Sequence, residues 1–372
     1  MKKLLPLISA AVMCGLAFTS CSDDDTPTPP TPTTVTEGIF VINEGTYGSI
    51  PGSLTSIGKD GSITQDAFAK ANNGMSLGDT PNDALVYGSK LYIVANGDNL
   101  VWVLDRNTLK IKEQINTTEL MGNDKGKQPR CLLAAGQYVF LSTFDGYVAA
   151  IDTTTYEAAH IYQAGSYPEG MAVSNGNLYV ANSDYGQNLN PSISIINLNT
   201  GEKTQDYTDE LITNPQSIVT IGNSMYVLDS GWYDDNWTQH DAGIRKIENG
   251  KVTMLANASL MAANVNDGLL YIVNSPYSST EETTYTVYDC NTGQTRTFIT
   301  GDDIEYPAAI AVDPENGDVY ISSYHVNADT GYADYSANGY VNQYRADGTF
   351  VTSYETGVGP TMLVFNYYTT NE

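Results

Sequence analysis

Histidine is scarce: the chain has three in 372 residues, His160, His240 and His325. The repeat spacing described below puts each in a different unit. No H-x-x-E-H, H-E-x-x-H or G-x-S-x-G run occurs, so the one-segment signatures of zinc and serine hydrolases are missing. Cysteine is nearly as rare, with four in the chain. Without C-x-x-C there is no zinc ribbon and no thiol redox pair. Cys131 and Cys290 fall in units too far apart to pair, and are expected as buried free thiols. No D-x-[DN]-x-[DN]-G loop is present, and Asp234-Asp235 read as solvated charges, so no metal is expected. Basic residues are few as well: 17 Lys and Arg against 43 Asp and Glu, a formal charge of −26. That balance disfavours nucleic acid and anionic membrane surfaces. No long stretch has a 3.6-residue apolar period, so helices should be few.

What the chain has instead is one motif seven times over. An aromatic residue sits in a run resembling LYVAN at Phe40, Tyr92, Phe140, Tyr179, Tyr226, Tyr271 and Tyr320. The spacings are 52, 48, 39, 47, 45 and 49 residues. A proline precedes the aromatic by 11 residues at Pro81, Pro129, Pro168 and Pro215, and by 13 at Pro307. Leu260 stands in the equivalent place before Tyr271. After each aromatic comes a second alternating strand, most of them ending in an Asn-Gly or Asp/Asn-x-Gly type turn. A period in the forties repeated seven times predicts an all-β fold, a seven-bladed β-propeller with four-stranded antiparallel blades. The last proline, Pro360, opens PTMLVF and has no partner downstream. Its partner is expected in GIFVIN near the start, so that the N-terminal strand closes the last blade and leaves no open edge.

Residues 1–20 read as a signal peptide: Lys2-Lys3, then an apolar stretch from Leu4 to Phe18 too short to span a bilayer. FTSC at 18–21 resembles a bacterial lipoprotein box with lipidation of Cys21. The acidic run Asp23–Asp25 and the Pro/Thr stretch to Thr36 read as a semi-rigid spacer, so residues 21–37 are a lipidated linker. The propeller is assigned to 38–368 and a tail to 369–372. These features imply an outer-membrane, lipid-anchored, surface-exposed domain.

The connections are asymmetric. Turns on one expected face are short (VYGSK, SNGN, NTGE), whereas those on the other are long: NSDYGQNLNPS, DSGWYDDNWTQHDAG and SSYHVNADTGYADYSANG. Long loops on a rigid scaffold are where binding residues concentrate. Trp232, Tyr233 and Trp237 share one loop, and Tyr47, Phe144, Tyr185, Tyr277 and Tyr324 belong to the same face, as do Tyr332 and Tyr335. Flat rings among Asn, Asp and Ser give rigid contact area with short hydrogen-bonding groups. Residues after the inner-strand prolines, namely Asn82, Arg130, Glu169, Gln216, Ala308 and Thr361, are expected to ring the channel mouth, with Glu169 the one acid among them. The ligand-binding set is thus Trp232, Trp237, Tyr233, Tyr185, Tyr47, Phe144, Tyr277, Tyr324, Asn82, Arg130, Glu169 and Gln216. No catalytic residue is expected.

The run of NLYVANS into ISIINLNTGE resembles the YncE-type seven-bladed propellers over most of residues 38–368. The opening EGIFVINEGTYGSIPGSLTSI, behind a lipobox and acidic stalk, is similar to the DUF5074 surface lipoproteins of Bacteroidetes. Within that group, resemblance to BtuG-type proteins implies capture of vitamin B12 or another corrinoid (cobalamin) and its delivery to a TonB-dependent outer-membrane transporter, with no intrinsic cofactor. Rival readings are a glycan- or protein-binding surface propeller, a structural surface protein, and a propeller hydrolase or lyase.

Overall fold

The computed structural model describes residues 32–122, 124–277, 282–301 and 304–370. Seven four-stranded antiparallel sheets make up most of it. Blade 1 runs outward from the axis as Pro81–Tyr87, Lys90–Ala95, Leu100–Asp105 and Ile111–Asn116. Blades 2 to 6 open with the inner strands Pro129–Ala135, Pro168–Ser174, Pro215–Ile221, Leu260–Asn264 and Tyr306–Val312. In blade 7 the inner strand is the C-terminal Pro360–Thr370. Beside it lie Thr33–Asn43, then Ser53–Gly58 and Ile63–Thr64.

The ring is visible in the core. Buried apolar residues form seven clusters, and each cluster spans two neighbouring blades. The strand period of two explains this. In Thr33–Asn43, Phe40 and Ile42 pack toward blade 1, whereas Ile39 and Val41 pack toward blade 6. The repeated aromatics occupy the second strand of each blade, and Tyr92, Tyr226 and Tyr271 are almost wholly buried. Each sheet is therefore apolar on both faces, and a blade that lost one neighbour would expose half its core.

The N-terminal strand closes blade 7 in antiparallel register from Thr33 opposite Thr370 to Asn43 opposite Pro360. The paired strands extend beyond 38 and 368 at the two ends. The last proline of the stalk is Pro32, and the β-branched run Thr33–Thr36 joins the sheet. The Thr36 hydroxyl also donates to Asp313 of blade 6 at 2.6 Å. Cys21 and the signal peptide lie outside the described residues. Among the described residues helix is confined to Ala67–Ala71, Thr117–Met121 and one 3-10 turn at Asp184–Gly186. Among the described residues no helix is long and apolar enough to cross a membrane. Cys131 and Cys290 are free thiols, but half-buried rather than buried.

The inner-strand prolines share a backbone consequence. Wherever a blade carries the repeat proline, the ladder slips by one residue just after it. Pro81 pairs with Ala95 but Asp83 with Val94, and the same shift follows Pro129, Pro168, Pro215, Pro307 and Pro360. The inner strand that starts at Leu260 pairs without a shift. Proline has no N–H to give the ladder, so a bulge at that point sacrifices little. A bulge re-aims the residue it releases. The residues released are Asn82, Gln216, Ala308 and Thr361 in four blades, Arg130 with Cys131 in blade 2, and Glu169 with Gly170 in blade 3.

Candidate ligand-binding face

The first residue of every inner strand, the loop after each second strand and the crossover between blades share one face. Three contacts show that loops of different blades meet there. The Gln239 N–H donates to the Tyr277 carbonyl at 3.2 Å, and the Tyr277 N–H donates to Gln239 Oε1 at 3.1 Å. The Thr46 hydroxyl donates to the Tyr335 carbonyl. The rings of Phe144 and Tyr185 meet edge to face at 6.0 Å.

At the channel mouth, Arg130 Nε donates to Glu169 Oε2 at 2.9 Å. The Arg130 guanidinium stacks over the Phe144 ring at 4.5 Å. Asn82 Nδ2 donates to the Arg130 carbonyl at 2.7 Å. Gln216 Nε2 donates to Asn214 Oδ1 at 2.6 Å. Two acids join them that the sequence reading did not place here. Asp83 accepts the Leu132 N–H at 2.6 Å and the Ala84 N–H at 2.9 Å. Burial nonetheless pushes its carboxyl up to about 7. Glu44 is also raised by burial, partly offset by the charge of Arg130. Glu169 is raised for the same reason, with Arg130 and Ser183 pulling the other way. Burial alone would weaken the Arg130 charge, but Glu169 and Glu44 sustain it and its pKa is raised. Glu169 remains the one acid among the residues that follow the inner-strand prolines, and Glu44 and Asp83 come near the same arginine from other positions. Burial raises the Cys131 thiol well above its usual value, so it stays protonated.

A cavity of about 350 Å³ opens beside this pair. Arg130, Glu169, Gln216, Asn214, Ser183 and Ser230 supply its polar lining, and Phe144, Tyr185 and Tyr233 its aromatic walls. Six residues of the expected set therefore share one cavity. Tyr167 packs against two of these rings, 5.2 Å from both Phe144 and Tyr185. Tyr167, Tyr185 and Trp237 hold positive φ, at 52°, 53° and 63°. Left-handed backbone is uncommon for bulky residues and accumulates at ligand clamps.

The Trp loop of blade 4 forms its own two-stranded ribbon, Trp232–Tyr233 against Gln239–His240. Trp232 stacks on His240 at 4.5 Å, and its indole N–H donates to Asp241 at 2.9 Å. His240 Nε2 lies 3.2 Å from Asp234. His325 is bound instead to Glu305 at 2.7 Å, and His160 packs between Tyr138 and Tyr162 on an outer strand. Among the described residues no cluster of His, Cys, Asp or Glu is arranged to hold a metal. Trp237 projects into solvent with 69% of its surface exposed. Tyr47 (83%) and Tyr185 (65%) do the same on blades 7 and 3. Tyr277 is half-exposed beside the ribbon. Tyr324 differs: it is buried, its ring 5.1 Å from Tyr335 and 6.4 Å from Tyr306, so it supports the rim from beneath. Burial, with Tyr335, Tyr277, Tyr233 and Tyr332 nearby, raises the Tyr306 hydroxyl. Aromatic side chains thus occur on this face in each of blades 2 to 7. Blade 1 differs, with the short loop 96–99.

Sequence reading missed Tyr167, Tyr306, Glu44 and Asp83. Tyr167 and Tyr306 each lie immediately before an inner-strand proline, so the motif that located Glu169 and Ala308 marked them one residue earlier.

The architecture defines a seven-bladed β-propeller with one face built up by long loops. The model of a domain of unknown function, DUF5074, matches residues 37–366. The chain belongs to that family. No curated protein matches the sequence. Among solved structures, one from Bacteroides uniformis named for a 6-phosphogluconolactonase is similar at 12% identity and TM-score 0.59, covering 88% of this chain and 99% of that one. Hydrazine synthase from Kuenenia stuttgartiensis is similar at 15% identity and TM-score 0.54, covering 78% of this chain and 95% of that one. At such identities the likeness is one of fold alone.

Proposed function

We propose that this propeller is a non-enzymatic capture protein that holds a broad, partly apolar ligand against its loop face. The observation that carries the reading is the presence of aromatic rings on the loop face of six blades around a polar channel mouth. A shallow bowl of that kind suits a large convex ligand. A corrinoid such as cobalamin, with apolar edges and a rim of amide arms, has that shape and chemistry, and the resemblance to BtuG-type proteins supports the choice. Trp232, Tyr233, Trp237, Tyr185 and Tyr47 would cover its body. Lipidation at Cys21 would tether the domain to the outer membrane at the cell surface, for hand-over to a TonB-dependent transporter. Titration calorimetry with cyanocobalamin tests the reading. Micromolar or tighter binding is expected. No heat and no thermal shift at micromolar ligand would remove the corrinoid, leaving a glycan or protein ligand for the same rings.

A further inference from the structure

We propose that the cavity between blades 2, 3 and 4 accepts an uncharged carboxamide, with its carbonyl oxygen on Arg130 and its N–H groups on Glu169 and Gln216, and turns away a carboxylate of the same shape. The inference deepens the reading above and rests on it for the identity of the whole ligand, but not for the chemistry of the cavity.

Three observations carry it. The first is the balance of hydrogen-bonding groups. Arg130 Nε is committed to Glu169, while its terminal nitrogens make no hydrogen bond among the described residues. The Gln216 amide nitrogen is spent on Asn214, which leaves its carbonyl oxygen as an acceptor. The cavity thus offers Arg130 as its one charged donor and Glu169 and the Gln216 carbonyl as acceptors, with the Ser183 and Ser230 hydroxyls able to serve either way. A primary carboxamide presents the complement, one acceptor and two N–H donors. The second is charge. One guanidinium stands beside Glu169 at 2.9 Å. A ligand carboxylate would have to share Arg130 with Glu169 and bring a second negative charge against a guanidinium that is already paired. An amide adds none, and a partly buried like charge is costly. The third is shape. Phe144, Tyr185 and Tyr233 wall a space of about 350 Å³, enough for a flat apolar group attached to the amide.

Benzamide and benzoate form the test pair, because they differ only at the group in question. Saturation-transfer NMR on the full-length protein is expected to show benzamide bound and benzoate weaker by about tenfold, a difference of ~1.4 kcal/mol. In Glu169→Gln, which keeps the side-chain shape but removes one negative charge, the benzoate deficit is expected to shrink. Tyr185 is mostly exposed, so Tyr185→Ala should fold normally and lose benzamide. Benzoate binding as well as benzamide, neither probe binding, or methyl glucoside binding as well as benzamide would each overturn the proposal. Competition with cyanocobalamin separates the two readings. Selective benzamide binding that cyanocobalamin fails to displace keeps the carboxamide cavity and removes the corrinoid. Calorimetric cyanocobalamin binding with no benzamide signal does the reverse.

Discussion

Arg130 shows how one residue draws several functions together. Its nitrogen fixes Glu169, its plane covers Phe144 and its carbonyl holds Asn82. Beneath it, Asp83 titrates at about 7 against an ordinary value of 3.8, because burial outweighs its two backbone hydrogen bonds. The native state therefore keeps a proton that the unfolded chain releases above about pH 4. Linkage then makes this group's contribution greatest at low pH and progressively lost as pH rises toward 7. Asp83→Asn removes the slope, while keeping only one acceptor oxygen for the Leu132 and Ala84 N–H groups at every pH. The Tm advantage of wild type over this variant should accordingly narrow from about pH 4 to about pH 8. A constant difference contradicts the assignment. Trp237 makes the opposite case. Its ring is mostly solvent-exposed and its contact with Tyr233 is loose, at 6.4 Å between centroids. Trp237→Ala should leave Tm almost unchanged yet weaken cyanocobalamin by about 2 kcal/mol, the scale of an interface anchor. Trp232→Ala should lower both, since Trp232 also braces the ribbon through His240 and Asp241.

At the scale of the element, the proline-led inner strand is the device that builds the site. The aromatic and proline positions were legible in the sequence because each repeats with the blade. The bulge was not, because a register shift depends on the partner strand rather than on local propensity. That is why Glu169 and Arg130 were expected at the mouth whereas Asp83, two residues after its proline, was not. Glu44 escaped notice for a different reason, since it lies at the end of a second strand and meets the axis only through closure of blade 7. The prolines also need room. Pro360 packs against Gly339, where a Cβ would sit 2.7 Å from the proline Cγ and 2.5 Å from the Ser323 carbonyl oxygen. Gly52 meets Pro81 in the same way between blades 7 and 1. Gly339→Ala should destabilise the protein by about 1–3 kcal/mol through overpacking, read as a lower denaturant midpoint with an unchanged slope. A variant as stable as wild type would show that the two blades separate more easily than their packing implies.

For the whole molecule, closure joins the ends of the chain. The N-terminal strand supplies one of four strands to blade 7 and apolar residues to the interfaces on both sides of it. Removing residues 32–43 would expose the edge of Pro360–Thr370 and open two clusters at once. That truncation should abolish soluble monomer, and co-expression of the excised segment should restore it in part. The ring, its closure and its loop-bearing face were all readable from seven copies of one motif. The aromatic face was only half readable: the sequence placed the rings on one face, but which rings touch, and that Tyr324 lies beneath them, follows from loop packing between segments distant in the chain.

The central claim is that loops from blades separated in sequence form one binding surface. Hydrogen exchange of the protein with and without cyanocobalamin tests it most directly. Protection is predicted at 183–191, 230–242 and 325–337 and at the loop 44–52, with none at the short turns of the opposite face. Protection on that opposite face, or in a single loop alone, would contradict the account.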